Sequence, residues 1–356
     1  MSRLGKIEKK FDFRITGSND ANARRMAGAF KKRENEAAKC LIGIQRELKA
    51  LDAEYKKSFS KLLGRGNAQS LNEIRNNGTK FRRSQKGRHA LSVLEKSGVD
   101  SGQILDLQLP YLTKTRDIIA RHSPVPPIIF PFDGCDGAFA SYAPPYSGWF
   151  WSYFWERESR PKDPVIGRYL DAATGRVGSK IRTPFVVADD YDYMYVEYNT
   201  GFNIWHTPQT DGPLEIKLTF AFPDAVFEGE VYDKMWAFSD ILHDQLVGAR
   251  IRVTDSQDPN QYDEAFRPID RLLHSTIYGE DHTWSHPVVS PFEDRTYKFK
   301  TAATFYQGSP VLLETGVKQV TMFIANDEGI STNANIDLLL SRVEVRSCEP
   351  DILTLG

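Results

Sequence analysis

Ser147-Gly-Trp-Phe-Trp-Ser-Tyr-Phe-Trp155 divides this 356-residue chain into two halves that differ in charge, periodicity and expected fold. In an extended backbone, side chains alternate between faces. Trp149, Trp151, Tyr153 and Trp155 therefore share one side, and Phe150, Ser152 and Phe154 the other. Both sides are apolar, as in a strand covered on both faces. The same rings offer an aromatic platform for a sugar, a membrane interface or a partner protein, because Trp and Tyr join a large apolar body to a polar tip.

Beyond the run, period-two patterns recur. Leu214, Ile216, Leu218, Phe220 and Phe222 alternate with Glu215, Lys217, Thr219 and Ala221, and shorter patterns occupy 191–198, 249–253, 296–305, 318–325 and 337–346. Thr174-Gly175, Thr200-Gly201, Asp211-Gly-Pro213, Gln307-Gly308 and Thr315-Gly316 read as the turns between them. Roughly eight to ten strands without long intervening helices predict an antiparallel β-sandwich of jelly-roll type. No internal repeat points to a propeller or solenoid. Tyr191, Tyr193 and Trp205 join the rings of the 147–155 run as the candidate ligand or partner surface.

The first half reads as a basic α-helical region over residues 1–121. From Ala21 to Leu63 the chain has no proline and few glycines, and Leu41, Ile44, Leu48, Leu51 and Tyr55 follow heptad spacing, so they form a candidate oligomer seam. An amphipathic helix lying on its own domain, or a helical hairpin, fits the same stripe. Further helical pieces are expected near 70–78, 90–97 and 111–121. The run Lys80-Phe-Arg-Arg-Ser-Gln-Lys-Gly-Arg88 gathers Lys80, Arg82, Arg83, Lys86 and Arg88 around one aromatic residue, which suits a polyanion such as nucleic acid or an anionic lipid surface. Residues 122–147 form a proline-rich connector whose Ile128, Ile129, Phe130 and Phe132 are apolar enough to lie against the sheet. The sandwich is assigned to 148–356, with about Trp149 to Cys348 expected to fold without the helices.

Net charge is −1, yet residues 1–100 hold 24 Lys and Arg against 11 Asp and Glu, a net +13, and the remainder holds 22 against 36, a net −14. Such separation suits contact with nucleic acid or with copies of the chain itself. Cys40, Cys135 and Cys348 are odd in number and far apart, so no disulfide framework and no zinc motif is expected. The N-terminus lacks the apolar run of a secretory signal, and no stretch approaches the ~20 apolar residues of a membrane helix, so the reading is a protein made in the cytoplasm, compatible with a place in a particle.

Candidate chemistry is sparse. His274, His282 and His286 beside Glu280 and Asp281 have metal-ligating side chains, but His282-Thr-Trp-Ser-His286 reads as a loop. Asp133-Gly-Cys-Asp-Gly137 and Asp189-Asp-Tyr-Asp192 lack the spacing of a calcium-binding EF-hand loop, and Trp205-His206 and His243-Asp244 have no nucleophile elbow to serve. No phosphate loop, dinucleotide fingerprint or HExxH is present, so no cofactor is expected. The leading reading is a non-catalytic assembly subunit, a self-associating sandwich with a basic helical arm. Viral coat proteins share that arrangement, which is an analogy of architecture. A carbohydrate-binding module and a glycan-processing hydrolase are the alternatives.

Overall fold

The computed structural model describes residues 6–16, 20–63, 110–111, 113–114, 117–118, 135, 137–157, 162–187, 191–232, 240–276, 282–288, 294–326 and 329–348. In chain order these form β1 (Lys6–Arg14), α1 (Asp20–Leu63), β2 (Ala140–Tyr142), β3 (Gly148–Arg157), β4 (Val165–Asp171), β5 (Arg176–Val187), β6 (Tyr191–His206) and β7 (Leu214–Tyr232). Then follow β8 (Asp240–Asp255), β9 (Tyr262–Thr276), β10 (His282–Pro287), β11 (Arg295–Lys300), β12 (Val311–Asn326) and β13 (Gly329–Ser347). A 6-stranded sheet runs β1-β3-β6-β12-β8-β9; a 7-stranded sheet runs β10-β7-β13-β5-β4, with β11 on β7 and β2 on β13. Every pairing is antiparallel. The expected mainly β, two-sheet sandwich is the fold.

Its interior follows the alternation seen in the sequence. Leu214, Ile216, Leu218 and Phe220 of β7 meet Ile336, Leu338 and Leu340 of β13 and Val247, Ala249 and Ile251 of β8 in one apolar cluster. A second cluster gathers Trp155, Ile181, Met194, Val196 and Phe323. Polar side chains also enter the interior. Ser179 donates to Gln319 Oε1, and Thr183 and Thr332 hydroxyls lie 2.9 Å apart.

Several expectations need correction. Lys6–Arg14, assigned to the helical region, is strand β1, paired with β3 from Lys6↔Arg157 to Arg14↔Trp149. Its Phe11 and Phe13 fall on one face and pack on Phe30 of α1, so the alternation within the stretch outweighs its lysines. Ala140–Tyr142, within the connector, is strand β2 on β13. Both strands precede residue 148 and belong to the sandwich by pairing.

Thr200-Gly201 and Thr315-Gly316 are not turns. Gly201 and Gly316 face each other in mid-strand across β6 and β12, where a Cβ would come 2.1 Å from the opposite strand's carbonyl oxygen. They are glycines of close approach. Gly175 and Gly308 do sit in turns, with φ of +78° and +74°. His282-Thr-Trp-Ser-His286, read as a loop, lies in strand β10.

Cys135 and Cys348, expected unpaired, form a disulfide with Cα atoms 5.1 Å apart. The antiparallel return of β13 beside β2 brings together residues 213 positions apart, which no spacing rule reveals. A crosslink over so long a loop restricts the unfolded chain. Reduction, or Cys348→Ser, is therefore expected to lower stability by about 2–5 kcal/mol. Denaturant melts with and without reductant check this, and coincident melts would refute it.

Candidate functional site

The outward side of the 6-stranded sheet carries a charge cluster under α1, buried at Arg33, Arg250, Arg252 and Glu314 and part-exposed at Glu264. Antiparallel register places Asn203 (β6), Glu314 (β12), Arg252 (β8) and Glu264 (β9) in one row across four strands. The neighbouring row reads Phe150 (β3), Gly201, Gly316 and Arg250 (β8). With no side chains on the two glycines, the Arg250 guanidinium reaches across them to lie 5.5 Å from the Phe150 ring centroid. Close approach of the strands thus makes room for a cation–π contact inside the protein.

Helix α1 closes the cluster. Met26 and Phe30 are buried, and Phe30 packs against Phe150. One turn further, Arg33 donates through Nη1 to Thr254 Oγ1 and through Nη2 to Glu314 Oε2, both at 3.1 Å. Arg33 and Glu314 keep 8% and 1% of their exposure. Arg25 donates to the carbonyls of Ser256 and Gln257, and Lys9 of β1 to Asn35.

Beneath the helix, Arg252 donates to Glu264 at 3.0 and 2.6 Å and lies 3.5 Å from Glu314, while Arg250 Nε donates to Glu264 at 2.9 Å. Burial alone would raise the Glu264 carboxyl, but Arg252 and Arg250 hold it below the usual carboxylate range. Burial raises Glu34, against the pull of Arg250 and Arg252. A second pair follows, in which Lys318 (3.0 Å), Tyr195 and Asn199 surround Glu197. Charge is therefore compensated locally, as desolvated ions require.

The predicted aromatic surface is divided. Phe150 and Phe154 are buried on the helix side of β3, together with Ser152. Trp149, Trp151 and Tyr153 are half-buried on the side facing the other sheet, and Trp155 there is buried. Trp151 and Tyr153 stack at 6.0 Å, and cations lie over the rings: Arg168 of β4 over Trp151 at 4.4 Å, Lys10 over Tyr153, and Lys6 over Trp155. Trp205 is on the opposite face, donating from Nε1 to the Thr16 carbonyl at 2.7 Å. Tyr191 and Tyr193 start β6, and their side chains lie outside the described residues. The structure thus brings Trp149, Trp151, Tyr153 and Trp155 together and leaves Trp205 apart.

Of the seam, Leu51 and Tyr55 are buried, with Tyr55 5.0 Å from Tyr111 and Ser58 Oγ 3.1 Å from its hydroxyl. Ile118, also buried, shares with Leu51 a groove of about 780 Å³. This part of the seam packs within the chain, as a helical hairpin does. The side chains of Leu41, Ile44 and Leu48, and all of Lys80, Arg82, Arg83, Lys86 and Arg88, lie outside the described residues.

The histidines separate. His286 Nε2 lies 2.9 Å from Asp270 and its ring stacks on Phe227, while the His274 and His282 side chains lie outside the described residues. Cys135, Glu215 and Cys348 converge, but the two sulfurs are bonded to each other and are not free to ligate a metal. Asp133, Asp189 and Asp190 lie outside the described residues. No described helix is long and apolar enough to cross a membrane.

His206 is buried with Nδ1 2.9 Å from the Tyr142 hydroxyl, and burial pushes its imidazole down from 6.5 to about 4. Between those values the unfolded chain binds a proton that the folded protein refuses. Stability should fall as pH drops from 6.5 to about 4, by up to about 3 kcal/mol. His206→Gln should flatten that part of a stability–pH curve, and an unchanged slope would assign it to other groups.

These features define an antiparallel two-sheet β-sandwich with a helix docked on one face through buried charge. No family model and no curated protein matches the chain. Among solved structures it is similar to TmCBM61 in complex with β-1,4-galactotriose, at 7% identity, covering 52% of this chain and 88% of that one, with a TM-score of 0.12. It is also similar to the VP2 protein of infectious bursal disease virus, at 8% identity, covering 63% and 46%, with a TM-score of 0.14. Likenesses at these scores carry no argument about ligand or assembly.

Proposed function

We propose that the chain is a non-catalytic assembly subunit, a self-associating β-sandwich with a basic helical arm, working within a large particle. The observation that supports this reading is the division of α1. Its 44 residues extend about 66 Å at 1.5 Å per residue. Contacts from Arg25 to Asn35 fix the first half to the sheet, whereas Leu51, Tyr55 and Ser58 belong with residues 110–118. A helix anchored at one end and paired near the other with its own helical segment is a stiff connector. The excess of +13 in residues 1–100 gives that connector a polyanion or an acidic neighbour to meet.

Light scattering of the full chain at low and high salt, with and without nucleic acid, tests the proposal. A multi-subunit mass that depends on salt is expected, because exposed charges are screened within ~8 Å at physiological ionic strength. A monomer under every condition would contradict it. The carbohydrate reading rests on Trp149, Trp151 and Tyr153. Glycan-array binding lost in Trp151→Ala with folding intact would favour that reading instead.

A further inference from the structure

The outward face of the 7-stranded sheet has opposite charges on the two sides of its central strand. Register aligns Glu228 (β7), Asn333 (β13) and Arg182 (β5) in one row, with Ala334 and Ile336 turned into the core. Asn333 Nδ2 donates to Glu228 Oε2 at 2.7 Å, and Ser331 Oγ to Glu230 at 3.0 Å. On the β5 side, Lys180 and Arg182 are exposed, and neither forms an ion pair among the described residues. Acids thus flank β13 on one side, and on the other cations with no ion-pair partner among the described residues. The open groove between them has a volume of about 310 Å³ and is lined by Trp284 as well as by Thr283, Ser331 and Asn333.

We propose that this face binds a second copy of the chain about a two-fold axis running along β13. Rotation about that axis exchanges the two flanks. Arg182 of one copy then faces Glu228 of the other, the same pair recurs on the far side, and Asn333 lies on the axis. This is the self-complementarity that an isologous contact demands. The distance between the flanks is two strand spacings, about 9–10 Å, so a single chain cannot place the two charges as neighbours on adjacent strands. Five strands at about 4.8 Å, over about ten residues, offer roughly 800 Å² per copy, the size of one side of a standard interface. The inference rests on the assembly reading and names one of its contacts.

Charge reversal tests it in the full chain. Arg182→Glu and Glu228→Arg should each weaken association at low salt by roughly a hundredfold, because each sets like charges together twice. An equimolar mixture of the two variants should associate again, since each supplies what the other lacks. Arg182→Gln, which adds no repulsion, should weaken association roughly tenfold and serves as the test if a reversal disturbs folding. Reversals without effect on the mass, or a mixture that stays dissociated, would overturn the contact. If a large particle still forms with Arg182→Glu, the contact fails and the assembly reading stands. A dimer that grows no further, and that obeys the swap, upholds the contact and overturns the particle.

Discussion

Replacing Glu314 with alanine should destabilise the protein by about 3–5 kcal/mol, the cost of leaving buried charge without its partner. Arg33 and Arg252 both point at this carboxylate, from the helix and from β8, and water cannot take its place while α1 stays docked. Arg33→Ala should cost a similar amount. The double variant Arg33→Met with Glu314→Leu should cost clearly less than the sum, because it removes both desolvated charges and keeps the volume. Urea melts of the three variants measure this. Strict additivity would mean that the two groups do not act as a pair.

The second large effect separates the two faces of β3. Phe150→Ala should cost about 3–5 kcal/mol, since the ring is fully buried between Phe30 and Arg250 and collapse would require the helix to move. Trp151→Ala should cost about 1–2 kcal/mol, the scale of a ring stack and a cation–π contact at a half-buried site. The larger side chain therefore contributes less. The reverse order would mean that α1 seals Phe150 less well than the second sheet covers Trp151.

Much of the architecture was legible where one signal dominates. The alternation of Leu214 to Phe222 reads as a strand because the period is unbroken, and α1 reads as a helix because apolar spacing, few glycines and absent prolines agree. β1 was hidden because six of its nine residues are charged, which drew attention from Phe11 and Phe13. Gly201 and Gly316 were misread because a Thr-Gly pair looks alike at a turn and in mid-strand; only pairing shows that the two are opposite each other. The charge cluster was the least visible. Arg33, Arg250, Glu264 and Glu314 lie far apart in sequence and look like solvated charges singly. Ala249-Arg250-Ile251-Arg252-Val253 reads as a strand with one solvated face, so the alternation itself hid the fact that the arginine face is covered.

A fragment beginning near Trp149 lacks β1, α1 and Cys135, so it would expose Phe150 and the cluster beneath the helix. The central claim is that the first half of α1 is part of the sandwich while the remainder is its arm. Amide hydrogen exchange of the full chain tests this most directly. Amides of residues 26–36 should exchange as slowly as those of β8 and β12, and Glu314→Ala should release them selectively while both strands stay protected. Rapid exchange of 26–36 in the unaltered protein, with the strands protected, would contradict the docking of α1 and with it the anchored arm.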